Sequence, residues 1–114
     1  MPTIYKICNR EDWESALAQG LFAGSAIDRQ DGFIHFSAAR QLRETARRHF
    51  AHRLDLVLIA VESEALGPDL RWEKSRGGDL FPHLYGPLAV KSVRSVVALP
   101  WRGTAHDFPP DIPS

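Results

Sequence analysis

The sequence predicts an α+β domain, and three observations carry that prediction. Signals for strand, helix, strand, helix and then several strands follow one another along the 114 residues, an order unlike the regular alternation that winds a parallel sheet. The run from Leu54 to Val61 is β-rich and apolar apart from Asp55, as expected of a strand covered on both faces at the centre of a sheet. A chain of this length buries roughly 65% of the surface it exposes when unfolded, enough for one core and not for a second.

In chain order, Thr3 to Cys8 alternates as a strand, with Tyr5 and Ile7 on one face and Ile4, Lys6 and Cys8 on the other; Lys6 is the odd member. Asn9 is placed to cap a helix from Arg10 to about Ala18, with Glu11, Asp12 and Glu14 in its first turns, Trp13, Ala16 and Leu17 on its apolar stripe, and Gly20 closing it. Leu21 to Gly32 has no clear period and reads as a loop with no more than a short turn of helix. Phe33 to Ser37 reads as a short strand in which Ile34 and Phe36 face one way and Phe33, His35 and Ser37 the other. A second helix follows from about Ala38 to Phe50, with Ala39, Leu42, Ala46 and Phe50 as its buried stripe and Arg40, Arg43 and Arg47 beside it. After a Gly67-Pro68 turn, Leu70 to Lys74 forms a strand with Arg71 and Glu73 on one face, Gly77 and Gly78 break it, and Val93 to Leu99 supplies a last strand. These elements make one domain over residues 1–105, followed by a Pro-rich tail, 106–114, with too little apolar surface to fold independently.

The 14 basic and 14 acidic side chains cancel, which argues against nucleic acid or an anionic membrane as the main partner. Eleven of the basic residues are Arg, whose planar fork suits phosphates and carboxylates. The arginines around Glu44 also read as a solvated helix face. The longest strongly apolar stretch has eight residues, far short of the roughly 20 that span a bilayer. With no basic region leading into an apolar one at the N-terminus, a cytoplasmic location is expected. A lone Cys8 makes neither an intrachain disulfide nor a cysteine zinc site, and on a first strand it reads as buried rather than nucleophilic. His49 and His52 stand near a helix end, where they meet the dipole, and no metal site is expected there.

Two segments concentrate chemistry. GFIHFSAARQL, residues 32–42, places His35 and Ser37 on one strand face just before a helix. The unpaired N–H groups of that helix end would attract phosphate, pyrophosphate or carboxylate, and its positive charge favours a neutral His35 that exchanges a hydrogen bond with a ribose hydroxyl. Ser37 is equally suited to capping the helix, and His35 to filling a half-buried sheet face. In EKSRGGDLFPHLYGPL, residues 73–88, an extended Pro82 to Tyr85 would project His83 and Tyr85 from one face. Arg76 beside the two glycines fits a phosphate contact or a plain turn, and Glu73 fits a catalytic carboxylate or an exposed partner of Arg71.

Together with IYKI near the N-terminus, the segments DGFIHFS and RWEKSRGGDLFPHLYGPL resemble the signatures of the bacterial family called domain of unknown function 952, over nearly the whole chain to about Trp101. That family is similar in fold to the ADP-ribosyltransferases, whose split mixed sheet carries a cleft for NAD. The resemblance implies a split mixed β-sheet with two main helices. It puts Lys6 where those enzymes carry a His or Arg, His35 to Ser37 in the second position of the site, and Glu73 in the third. The catalytic candidates are therefore Glu73, His35 and His83, and the substrate-binding candidates Lys6, Ser37, Arg76 and Tyr85. The implied ligand is NAD or a related ribose-phosphate compound, bound as a substrate, and the implied reaction is ADP-ribosyl transfer or glycosidic cleavage. Two other classes fit the same residues: a noncatalytic ligand-binding or interaction module, and a metal-dependent hydrolase using His35, Glu73 and His83.

Overall fold

The computed structural model describes residues 2–112, with the backbone alone at Arg76. Strand β1 (Thr3–Asn9) leads directly into α1 (Arg10–Gln19), which ends at a left-handed Gly20 whose N–H donates to the Ala16 carbonyl. The stretch without periodicity contains β2 (Leu21–Phe22) and a six-residue helix, α2 (Ala26–Asp31). Two short strands, β3 (Ile34–His35) and β4 (Ser37–Ala38), precede α3 (Ala39–His49). The remaining strands are β5 (Leu56–Glu62), β6 (Leu70–Lys74), β7 (Leu80–Leu84), β8 (Leu88–Ala89) and β9 (Val93–Leu99).

Among the described residues every strand pairing is antiparallel, so the expected mixed sheet is replaced by antiparallel sheets within an α+β fold. The reason lies in the main sheet, ordered β4-β1-β5-β9. Helix α3 carries the chain from β4 to β5 on the far side of β1, and both run antiparallel to β1, so the crossover creates no parallel neighbours.

The apolar run of β5 is buried on both faces, as its sequence predicts. Val57, Ile59 and Val61 pack with Ile4 and Cys8 against Trp13 and Ala16 of α1, while Leu56 and Leu58 pack with Ile7 and Leu99 against Leu42 and Ala46 of α3. Leu17, expected on the α1 stripe, is exposed. The segment after β9 closes the second cluster: Ile112 is buried in it, and Arg43 lies over the Phe108 ring and donates to the Ile112 carbonyl. Residues 113 and 114 of the tail lie outside the described residues.

A second sheet, ordered β3-β7-β6, sets up the cleft. The strand expected over Phe33–Ser37 is divided between the sheets. Ile34 and His35 pair with Leu84 and His83, whereas Ser37 and Ala38 pair with Tyr5 and Ile4. Between them, the Phe36 N–H donates to the Pro82 carbonyl. The register puts Ile34, Leu84 and Leu70 on the core side of the second sheet and His35, His83, Phe81, Arg71 and Glu73 on the other. Because β4 covers only Ile4 and Tyr5, the same edge of β1 is left without a ladder partner from Lys6 onward.

No helix among the described residues is long and apolar enough to cross a membrane. On α3, Arg40 pairs with Asp79, and Arg47 and Arg48 pair with Glu44.

Candidate functional site

A cleft of about 730 Å³ opens where the sheets divide, walled by α2, α3, the free edge of β1 and the outer face of the second sheet. Lys6, Arg29, His35, Arg53 and His83 line it, together with Ser25, Ser37 and Thr45.

Lys6 points to the same side of β1 as the core residues Ile4 and Cys8, and its buried ammonium is matched by Asp28. Its Nζ lies 2.7 Å from Asp28 Oδ2 and 3.0 Å from Oδ1. Asp28 is the third residue of α2, where its Oδ2 accepts the Ser25 backbone N–H at 2.9 Å as one half of a capping box. Its Oδ1 accepts the His35 backbone N–H at 3.2 Å and meets ring Nδ1 at 2.6 Å. Burial by itself raises the Asp28 pKa, but the hydrogen bonds from His35 and the charge and hydrogen bond of Lys6 outweigh it, holding the carboxyl well below the usual range. On the far side of the ring, His35 Nε2 lies 3.0 Å from Asp31 Oδ2. The His35 ring is therefore flanked by carboxylates at both nitrogens.

His83 stands opposite His35 in the β3–β7 ladder, with ring centroids 5.5 Å apart. Its Nδ1 lies 2.8 Å from Glu73 Oε1, and the same oxygen accepts the Tyr85 hydroxyl at 2.7 Å. Hydrogen bonds from His83 and then Tyr85 hold the Glu73 carboxyl below its ordinary value, and the Tyr85 hydroxyl is raised by its bond to Glu73. Phe33 packs across this group, its ring 4.5 Å from His35, 4.2 Å from His83 and 5.2 Å from Tyr85. In the tautomer whose Nδ1–H donates to Glu73, the lone pair lies on Nε2, which meets no partner among the described residues. A histidine braced in this way and lining a cleft is equipped to accept a proton.

Of the sequence-derived candidates, Lys6, His35, Ser37 and His83 reach the cleft lining. Glu73 and Tyr85 share the sheet face of His83 but stand behind its ring, and the Arg71 guanidinium stacks 4.8 Å over Tyr85 instead of pairing with Glu73. The side chain of Arg76 lies outside the described residues. Ser37 does not cap α3. Ala38 occupies the cap position, the Gln41 side chain accepts the Ala38 N–H at 2.9 Å, and the Ser37 hydroxyl is 3.1 Å from that of Thr45. Ser37 is instead held in the β1–β4 ladder opposite Tyr5. Asn9 likewise leaves α1 uncapped and accepts from Arg53 at 2.6 Å. Sequence reasoning missed Asp28 and Asp31; the available signal was the spacing of Ser25 and Asp28, a capping box inside an aperiodic stretch. Among the described residues no group of three or more His, Cys, Asp or Glu is arranged to hold a metal ion.

Fold and site together define a small antiparallel α+β domain with two carboxylate-braced histidines at a split between sheets. The chain belongs to the family described as Protein of unknown function (DUF952), whose model matches residues 7–96. It is similar to the crystal structure of Protein CC0527 from Caulobacter crescentus, at 51% identity over 92% of this chain and 93% of that chain, with a TM-score of 0.89. A solution NMR structure of CC0527 gives 52% identity over 93% of this chain and 91% of that chain, with a TM-score of 0.83. No curated protein matches this chain.

Proposed function

We propose that the cleft binds NAD or a related ribose-phosphate compound, and that His83, braced by Glu73, serves cleavage of its N-glycosidic bond with water or an acceptor hydroxyl as nucleophile. The observation that carries the proposal is the 2.8 Å contact between His83 Nδ1 and Glu73 Oε1 at the wall of a cleft of about 730 Å³. That size falls among small-molecule sites, which run to about 300–1,000 Å³. Lys6, Arg29 and Arg53 in the lining suit the phosphates of such a ligand.

In this scheme the bond from the ribose anomeric carbon to nitrogen breaks with its electron pair passing to the nicotinamide ring, whose positive charge it cancels. The ribose becomes oxocarbenium-like. As the new bond to oxygen forms, His83 Nε2 takes the proton of the attacking hydroxyl, and Glu73 stabilises the imidazolium that results. Lys6, Arg29 and Arg53 hold the phosphates, and Tyr85 keeps Glu73 in place.

The test is calorimetric titration with NAD together with a nicotinamide-release assay, on the wild type and on Glu73→Gln. Affinity should stay within about threefold while release falls by about 10²- to 10⁴-fold, because the charge on Glu73 matters only once His83 becomes cationic. No heat and no release from correctly folded wild type would end the NAD reading. Heat without release would leave a noncatalytic ligand-binding module.

A further inference from the structure

We propose that Asp28 is the positioning residue of the cleft, fixing His35 and Lys6 relative to each other across the split and so the shape in which the cleft meets its ligand. The ligand in this proposal rests on the nucleotide reading above; the geometry does not. Lys6 belongs to β1 of the main sheet and His35 to β3 of the second, and Asp28 is bonded to both across the split. Its side chain is fully buried and absent from the cleft lining, so it acts through the groups bonded to it.

A simple counterion for Lys6 would need one oxygen and no histidine. Asp28 instead receives four donor groups: Lys6 Nζ, the Ser25 N–H, the His35 N–H and the His35 ring. That matches the roughly four lone-pair positions of a carboxylate. The backbone and ring bonds to His35 together fix both the position of β3 and the plane of the imidazole. Gly24 permits the arrangement. Its φ is +102°, and a Cβ there would lie 2.7 Å from the Asp28 Cβ. A six-residue helix such as α2 is too short to hold itself in place, so the anchoring at Asp28 also sets where Asp31 meets the other ring nitrogen.

The experiment uses ¹⁵N-labelled protein, with His35 ring signals assigned against His35→Gln, and NAD calorimetry on the wild type and Asp28→Asn. In the wild type, Nδ1 should carry a proton protected from exchange. In Asp28→Asn that signal should shift or vanish and the NAD Kd should rise at least about tenfold, the loss of one charge-assisted hydrogen bond. A merely structural Asp28 would lower the unfolding temperature while leaving the His35 signal and the Kd as in the wild type, and that result overturns the proposal. If Asp28→Asn does not fold, the wild-type spectrum decides: a protected Nδ1 proton upholds the proposal and an unprotonated Nδ1 overturns it. If the wild type takes up no NAD, the nucleotide reading fails alone, and the His35 signal of the variant still decides the role of Asp28.

Discussion

Lys6→Met would remove one charge from a pair buried on both sides, since the Lys6 side chain keeps 5% of its exposure and that of Asp28 none. Breaking such a pair from one side costs about 3–5 kcal/mol, because the remaining charge stays in the interior without its counterion. Here Ser25 and His35 continue to donate to Asp28, and Met preserves the apolar stem. The expected cost is therefore at the lower end, about 3 kcal/mol. Combining Lys6→Met with Asp28→Asn removes both charges, so the double variant should be more stable than the sum of the single losses by at least about 1 kcal/mol. Urea unfolding followed by tryptophan fluorescence at pH 7, with an unchanged slope, measures these differences. The pH dependence has a definite sign. The Asp28 pKa is depressed by folding, so its stabilisation is complete above the unfolded carboxyl value of about 3.9 and is lost as the pH falls below it. Without Lys6 the depression is smaller, so the wild-type advantage should be greatest at neutral pH and narrow below about pH 4. A loss under about 1 kcal/mol at pH 7, the size of an exposed pair, or a gap that widens in acid would refute the reasoning.

Gly24→Ala combines a positive φ with a Cβ placed 2.7 Å from that of Asp28, and should cost about 2–4 kcal/mol in thermal or urea unfolding. A change of less than about 0.5 kcal/mol would mean that the Ser25 turn shifts freely. Burial pushes the Cys8 thiol up to about 12, so a thiol reagent at neutral pH should label the native protein only through opening of the fold, accelerating in urea with the population of open molecules. Rapid labelling of the fully native protein would contradict the burial of β1.

What the sequence determined by itself is whatever depends on local backbone geometry. Alternation put Lys6 with Ile4 and Cys8, and His83 with Tyr85, because successive strand side chains point to opposite faces whatever the strand pairs with. The spacing of Leu42 and Ala46 set the buried stripe of α3, and the apolar run of β5 marked a strand covered on both faces. Which groups these faces meet depends on long-range packing. Lys6 finds Asp28, 22 positions away on a helix too short to leave a periodic trace, and Glu73 turns to His83 and Tyr85 while Arg71 stacks on the Tyr85 ring. Ser37 had the right chemistry and position for a cap, but pairing with β1 drew it into a ladder and left Gln41 to accept the Ala38 N–H. The division of Phe33–Ser37 between two sheets was equally hidden, because a strand's own pattern is the same whichever neighbour supplies its hydrogen bonds; long-range packing selects that neighbour, and here the selection opens the cleft.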